Sequence, residues 1–202
     1  MHNTKLSKLF ITGCDSKTRW QLPWFQENFK KHNPDATLYV YDFDTDFPEE
    51  AGWFKKPSAM INASKKADNI CWLDTDCQVL QNLDEIWNHI EPNKITMAQD
   101  MPWTTRSGET WHNSGVVLFN DIPRILWIWK SLIKNQAVQG DQETLHMYLK
   151  DGLNRMIHIN DLPRRFNVLR IDHLDNTVPK NPAIFHWTGY KGNLKIKEMI
   201  NG

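Results

Sequence analysis

The chain has 202 residues, with 24 Lys plus Arg balanced by 24 Asp plus Glu, so it lacks the basic excess that marks a nucleic-acid binder. Hydrophobic residues make up 40% and charged residues 24%, an ordinary globular balance, and a chain of this length buries about 70% of its unfolded surface, enough for one core without disulfide staples. No run approaches the ~20 apolar residues of a membrane span, and residues 1–10 are too polar for a signal peptide, which points to a cytoplasmic protein or to one part of a longer chain.

Residues 6–12 (LSKLFIT) read as an apolar strand closing on a Gly13-Cys14-Asp15 turn. Apolar residues at 20, 22, 24, 25 and 29 have helical spacing, Asn33-Pro34-Asp35 stops that helix, and 36–43 (ATLYVYDF) form a second strand. Strand, helix, strand within this span opens an α/β domain. Residues 57–67 read as a second helix with Pro57 in its first turn. Residues 69–73 (NICWL) are wholly apolar, as in a central strand covered on both faces, and run into Asp74-Thr75-Asp76. A short helix over 83–90 and a strand over 94–98 follow, the strand ending near Asp100. Residues 101–113, with Pro102, Trp103, Gly108 and Trp111, read as an irregular functional loop. After it come a strand over 114–120, amphipathic helices over 122–134 and 142–150, and short strands over 156–159 and 183–186. A polar loop over 172–182 precedes the last strand, and a helix over 194–200 closes the chain. There is no repeat and no linker, so residues 1–202 are expected to form one domain.

Cys14, Cys71 and Cys77 are too few and too scattered for a disulfide framework and read as reduced thiols. The ten tryptophans are an excess, and an indole offers a sugar ring a flat apolar face beside one N–H donor. Trp72, Trp127 and Trp129 read as core; Trp20, Trp53, Trp103, Trp111 and Trp187 are the pool for ligand contacts.

The strongest local signal is CWLDTDCQVL, a buried strand delivering Asp74 and Asp76 at its carboxyl end, where open α/β sheets bind ligands. Neighbouring carboxylates repel unless a cation sits between them, and a divalent ion there would neutralise a diphosphate. The plain alternative is a pair of turn or helix-capping aspartates. An aspartyl-phosphate phosphatase would want Thr or Val where Gln78 stands, a nucleotidyltransferase would want a basic Gly-rich loop instead of Gly13-Cys14-Asp15, and no P-loop or dinucleotide fingerprint is present.

Five segments in order, FKKPSAMINAS, CWLDTDCQVL, HNSGVVLFN, GDQETL and IFHWTGYKG, resemble the GT-A fold glycosyltransferases. The likeness is to their retaining group, with glycogenin and the bacterial lipopolysaccharide galactosyltransferases, and especially to the small enzymes of chlorella viruses. The resemblance implies a mixed, mostly parallel α/β sheet flanked by helices, with a nucleotide and metal half over about 1–100 and a sugar and acceptor half over about 101–202. It implies that Asp74, Asp76 and His186 hold a metal, and two carboxylates with an imidazole suit Mn²⁺ better than Mg²⁺, which stands as the alternative. It implies donor contacts from Thr12, Gly13 and Cys14 to the base, from Asp74 and Thr75, from Lys56 (with Lys55 as its rival) to the phosphates, and from Asn113 and Ser114 to the sugar. Gly189 and Lys191 match a phosphate-binding segment, although Lys191 stands one place early and lacks the following Pro. The resemblance also implies that Asp141 and Gln142 lie near the reacting carbon and that Asp100 contacts the sugar, all three as catalytic candidates; the rival reading of Asp141 is a helix cap. The implied activity is metal-dependent transfer of a hexose from a UDP-sugar to a carbohydrate or other hydroxyl acceptor, with retention. The alternatives are a carbohydrate-binding module without turnover and a metal-dependent phosphohydrolase.

Overall fold

A computed structural model of the protein describes residues 5–136 and 140–202, so the first four residues of the N-terminal stretch lie outside it. The first strand, β1 (Leu6–Cys14), continues through Gly13 and Cys14, and the turn starts at Asp15, whose carboxylate accepts the amides of Lys17 and Thr18. A 3₁₀ turn (Arg19–Gln21) leads into α1 (Leu22–His32), which buries Trp24, Phe25 and Phe29. Then come β2 (Leu38–Asp42), a 3₁₀ turn (Gly52–Lys55) and α2 (Lys56–Ala63). The helix expected over 57–67 ends early because Ala67 pairs with Leu6 and opens β3 (Ala67–Leu73).

Next are β4 (Cys77–Val79), a 3₁₀ helix (Asp84–His89) and β5 (Ile95–Gln99). The expected loop over 101–113 is largely a helix, α3 (Met101–Ser107): Asp100 caps it by accepting the Trp103 amide, Pro102 sits in its first turn, and Gly108 ends it at φ 74°. After it come β6 (His112–Asn120), α4 (Arg124–Gln136) and α5 (Asp141–Leu149). The strand expected from 156 is helical up to His158, because Asp151 accepts the amides of Leu153 and Asn154 and starts α6 (Gly152–His158); only then does β7 (Ile159–Leu162) begin. The chain closes through a 3₁₀ turn (Arg164–Phe166), β8 (Val168–Leu169), α7 (Arg170–Leu174), β9 (Ile184–His186) and α8 (Gly189–Asn201). Thus α7 takes the start of the expected loop over 172–182, and α8 starts five residues before the expected 194.

The main sheet has six strands in the order β2-β1-β3-β6-β5-β7, mostly parallel, with β6 antiparallel to both neighbours. Side chains alternate across it, so Leu9, Ile11, Ile70 and Trp72 pack with Met60 of α2 and Trp129 of α4, while Phe10, Cys71 and Leu73 pack with Phe25 and Phe29 of α1 and Ile196 of α8. Each such large apolar side chain contributes about 1.5–3 kcal/mol on burial. Trp72 and Trp129 are core as expected, but Trp127 stands on the outer face of α4, 53% exposed. The three cysteines are free and buried. Among the described residues no helix is long and apolar enough to cross a membrane.

A second, three-stranded sheet, β4-β9-β8, positions the site. Its antiparallel register sets Cys77 opposite His186, which carries the C-terminal segment to the tip of β3. The Trp187 amide donates to the Asp76 carbonyl at 3.0 Å and the Asp74 amide to Gly115 at 2.8 Å, tying that tip to β9 and β6.

Candidate active site

Two adjoining clefts open where β3 ends. The larger, about 530 Å³, is walled by Gly13, Phe43, Phe54, Trp72, Thr75 and Asn193, and the smaller, about 340 Å³, by Asp100, Trp103, Asn113, Ser114, Gln142 and His186. Trp53, Asp74, Asp76, Asp141 and Gly189 line both, so they mark the junction.

His186 is almost fully buried, and its ring is fixed from behind. Its Nδ1 lies 3.0 Å from Asn113 Oδ1 and 3.1 Å from Asn167 Oδ1. Asn113 Oδ1 also receives the Gly115 amide at 2.9 Å, and a backbone N–H can only donate, so this atom is the oxygen. Nδ1 therefore carries a proton and donates, and in the neutral ring Nε2 presents a lone pair. That lone pair faces Asp76 Oδ1 at 3.1 Å and Asp74 Oδ2 at 3.8 Å. Such an arrangement calls for a positive charge in the middle, either a proton or a cation. Burial pulls the His186 pKa down, but Asp76 and then Asp74 outweigh it, and the net direction is up. Gly115 is required here, because a Cβ at that position would run into the His186 imidazole.

The donor set fits a divalent ion. Two adjacent ligands on an octahedral ion with bonds of about 2.1 Å stand about 3 Å apart, close to the separation of His186 Nε2 from Asp76. Cys77 Sγ also lies within 4.8 Å of the Asp76 and His186 donor atoms. Burial holds that thiol well above its usual range, however, and it points at the Gly115 carbonyl 3.7 Å away, so Asp74 is the better third ligand. Asp74 Oδ1 accepts the Trp72 indole N–H at 2.6 Å and lies 3.0 Å from Lys56 Nζ, which also reaches Oδ2 at 3.2 Å; Oδ2 is the oxygen that faces His186.

Lys56 stands between two carboxylates. It lines the larger cleft but is only 3% exposed, and its ammonium lies between Asp74 and Asp141, 2.9 Å from the latter, with Ser114 at 3.2 Å. Burial pulls its pKa down, the two aspartates outweigh it, and it is held above the usual lysine range. It is a buried counter-ion whose donors bond to protein oxygens. Its rival Lys55 is buried away on the carbonyls of Phe43 and Asp46.

Asp141 opens α5 without capping it; its carboxylate turns inward to Lys56 and to the Ser114 hydroxyl at 3.0 Å. Gln142 Oε1 accepts from Asn113 Nδ2 at 2.9 Å and from the Ser114 amide at 3.2 Å, and its Nε2 reaches Asp100 Oδ2 at 3.4 Å. Asp100 is pushed up by burial, partly offset by the Trp103 N–H. Asp100, Asn113, Ser114, Asp141 and Gln142 thus form one hydrogen-bonded wall.

Three expected contacts fall outside the cleft walls. Thr12 and Cys14 project from the face of β1 opposite to Gly13 and are buried behind it, because alternate residues of a strand face opposite ways. Lys191 points to solvent from the first turn of α8. Of the tryptophan pool, Trp53 and Trp103 line clefts; Trp111 packs flat on His146, Trp187 stacks on Phe185, and Trp20 lies under Lys197. Residues that no motif flagged are Gln21, which accepts the Thr75 hydroxyl and donates to Asn193, and Asn167 behind His186.

No protein-family model and no curated protein matches the sequence. Solved structures do match. The galactosyltransferase LgtC, crystallised with donor and acceptor sugar analogs, aligns at a TM-score of 0.62 with 14% identity, over 96% of this chain and 95% of that one. The apo form of the glycosyltransferase GlyE of Streptococcus pneumoniae TIGR4 aligns at 0.65 with 15% identity, over 98% of this chain and 64% of that one. The chain has the GT-A glycosyltransferase fold. The same frame is shared by a glycosyltransferase involved in the glycosylation of the major capsid of PBCV-1, which aligns at 0.70 with 16% identity, over 97% of this chain and all of that one.

Proposed function

We propose that this protein transfers a hexose from a UDP-sugar to a carbohydrate or other hydroxyl acceptor, with a divalent ion, Mn²⁺ before Mg²⁺, held by Asp74, Asp76 and His186. The observation that carries the reading is the convergence of those three side chains at the junction of an apolar and a polar cleft. When bound, the ion would neutralise a diphosphate and stabilise it as a leaving group.

The chain's own residues divide the remaining work. The larger cleft, with Phe43 and Trp72 on its walls, suits a nucleoside. Gly189, at φ 72° in the turn into α8, brings backbone to the junction, where the helix N-terminus favours a phosphate. The smaller cleft offers Asn113, Ser114 and Gln142 to sugar hydroxyls. Asp141 sits at the junction with Oδ2 engaged by Lys56 and Ser114, a fixed negative charge beside the place where positive charge develops on the anomeric carbon. Retention rests on the resemblance of the motifs to the retaining group.

The test is to incubate the protein with UDP-, GDP- and TDP-sugars and Mn²⁺ and to measure free nucleoside diphosphate. UDP release that stops in EDTA, with a product anomer matching the donor by NMR, is the expected result. Phosphate release from a simple monoester with no sugar-nucleotide cleavage would instead identify a phosphohydrolase.

A further inference from the structure

The smaller cleft has an uneven wall. Carboxylates at Asp74, Asp76, Asp100, Asp141 and Glu143 line it, and among the described residues no Lys or Arg does. Lys56 neutralises part of the charge at Asp74 and Asp141, from behind, which leaves Glu143 and the buried Asp100, whose oxygens take the Trp103 amide and the Gln142 side chain. An incoming anionic group would meet these acids beside an anionic donor, with the proposed divalent ion committed to the diphosphate and no Lys or Arg among the described lining residues to receive it.

Against the acids stand two indoles. Trp53 is 57% exposed and Trp103 49%, although both line a cleft. Trp103 is held as a platform: its amide binds Asp100, its ring leans on Trp111 with centroids 6.4 Å apart, and Trp111 lies flat on the buried His146 at 3.4 Å and 12°. The far end of α3 is tied to the end of α7 through Arg106, whose Nη2 reaches both oxygens of Asp175, the residue that follows that helix. A fixed, half-exposed aromatic face beside hydrogen-bonding groups matches a pyranose, which has an apolar C–H face and a hydroxyl rim.

We infer that the acceptor is an uncharged pyranoside that packs on Trp103, and that the carboxylate wall excludes uronic and phosphorylated sugars. This rests on the transferase reading above and names the acceptor class of the same site.

Methyl β-glucoside and methyl β-glucuronide make a matched pair that differs by one carboxylate. Saturation-transfer NMR with protein, Mn²⁺ and UDP reads binding directly, without turnover, and transfer from the preferred UDP-sugar gives the acceptor KM. Expected are ring C–H saturation for the glucoside and a KM roughly tenfold or more higher for the glucuronide. Trp103→Ala should raise the glucoside KM roughly tenfold, and Trp103→Phe should recover most of that loss. Equal or better binding of the glucuronide overturns the inference. So does an unchanged glucoside signal and KM in Trp103→Ala, or transfer to Ser or Thr peptides but to neither sugar. Donor cleavage to water by the wild type, measured in parallel, tests the transferase reading separately.

Discussion

Replacing Lys56 by Met removes one ammonium and keeps most of the side-chain volume. In the folded protein that ammonium holds Asp141 at 2.9 Å and Asp74 at 3.0 Å, and it is itself almost wholly out of water. Breaking a buried pair by deleting one partner costs about 3–5 kcal/mol, because the other charge stays buried and uncompensated. Asp74 is about a quarter exposed and Asp141 about a tenth, so most of the loss is assigned to Asp141. For a chain of this size each kcal/mol moves the melting point by about 2–4 °C, giving a fall of roughly 6–20 °C. Lys56 is held above its ordinary pKa, so its contribution is complete below the unfolded lysine value and disappears only as pH rises through the folded one; the wild-type advantage should be flat across about pH 6–9. Thermal unfolding followed by circular dichroism in EDTA measures the drop. The cycle with Asp141→Asn should return at least half of it. A Lys56→Met protein that melts within about 1–2 °C of wild type would refute the counter-ion assignment.

Gly115→Ala places a methyl group in the His186 ring, so Mn²⁺ affinity of the folded protein should fall by about tenfold or more by calorimetry, with some loss of melting temperature from the same clash. Trp72→Phe keeps an aromatic ring against Phe43 but deletes the N–H that orients Asp74; metal affinity should drop about 10–100-fold, and an unchanged value would make that bond incidental. Asp100→Asn keeps a helix cap and removes a buried charge. Since burial raises the Asp100 pKa, the folded state binds the extra proton, and this cost to stability is present at neutral pH and fades as pH falls through the folded pKa. The variant should therefore melt higher than wild type at pH 7 and lose that advantage near pH 4; the reverse order would contradict the assignment.

The carboxyl end of β3 was legible because an apolar run dictates a central strand whatever surrounds it, and Asp74 and Asp76 follow that run directly. The meeting of His186 with Asp76 was not written in local spacing; it depends on β4 pairing with β9 across more than a hundred residues, and it was reached only through resemblance. The helix α3 was missed although its signals stand in the sequence, because Asp100, Pro102 and Gly108 also suit a loop when no apolar periodicity accompanies them. The burial of Lys56 was illegible for a different reason. A lysine beside a helix start is usually solvated, and only the tertiary approach of Asp141 makes its burial tolerable. Asn167 carries no motif at all, and its part in fixing the His186 tautomer emerges only when β8 lies beside β9.

Titrating the protein with Mn²⁺ and following the free ion by electron paramagnetic resonance, with and without UDP, tests the cation site most directly. One equivalent should bind, more tightly when UDP is present, and Asp76→Asn and His186→Ala should each abolish the effect. Equal UDP binding in EDTA and Mn²⁺, or Mn²⁺ uptake indifferent to both substitutions, would contradict it.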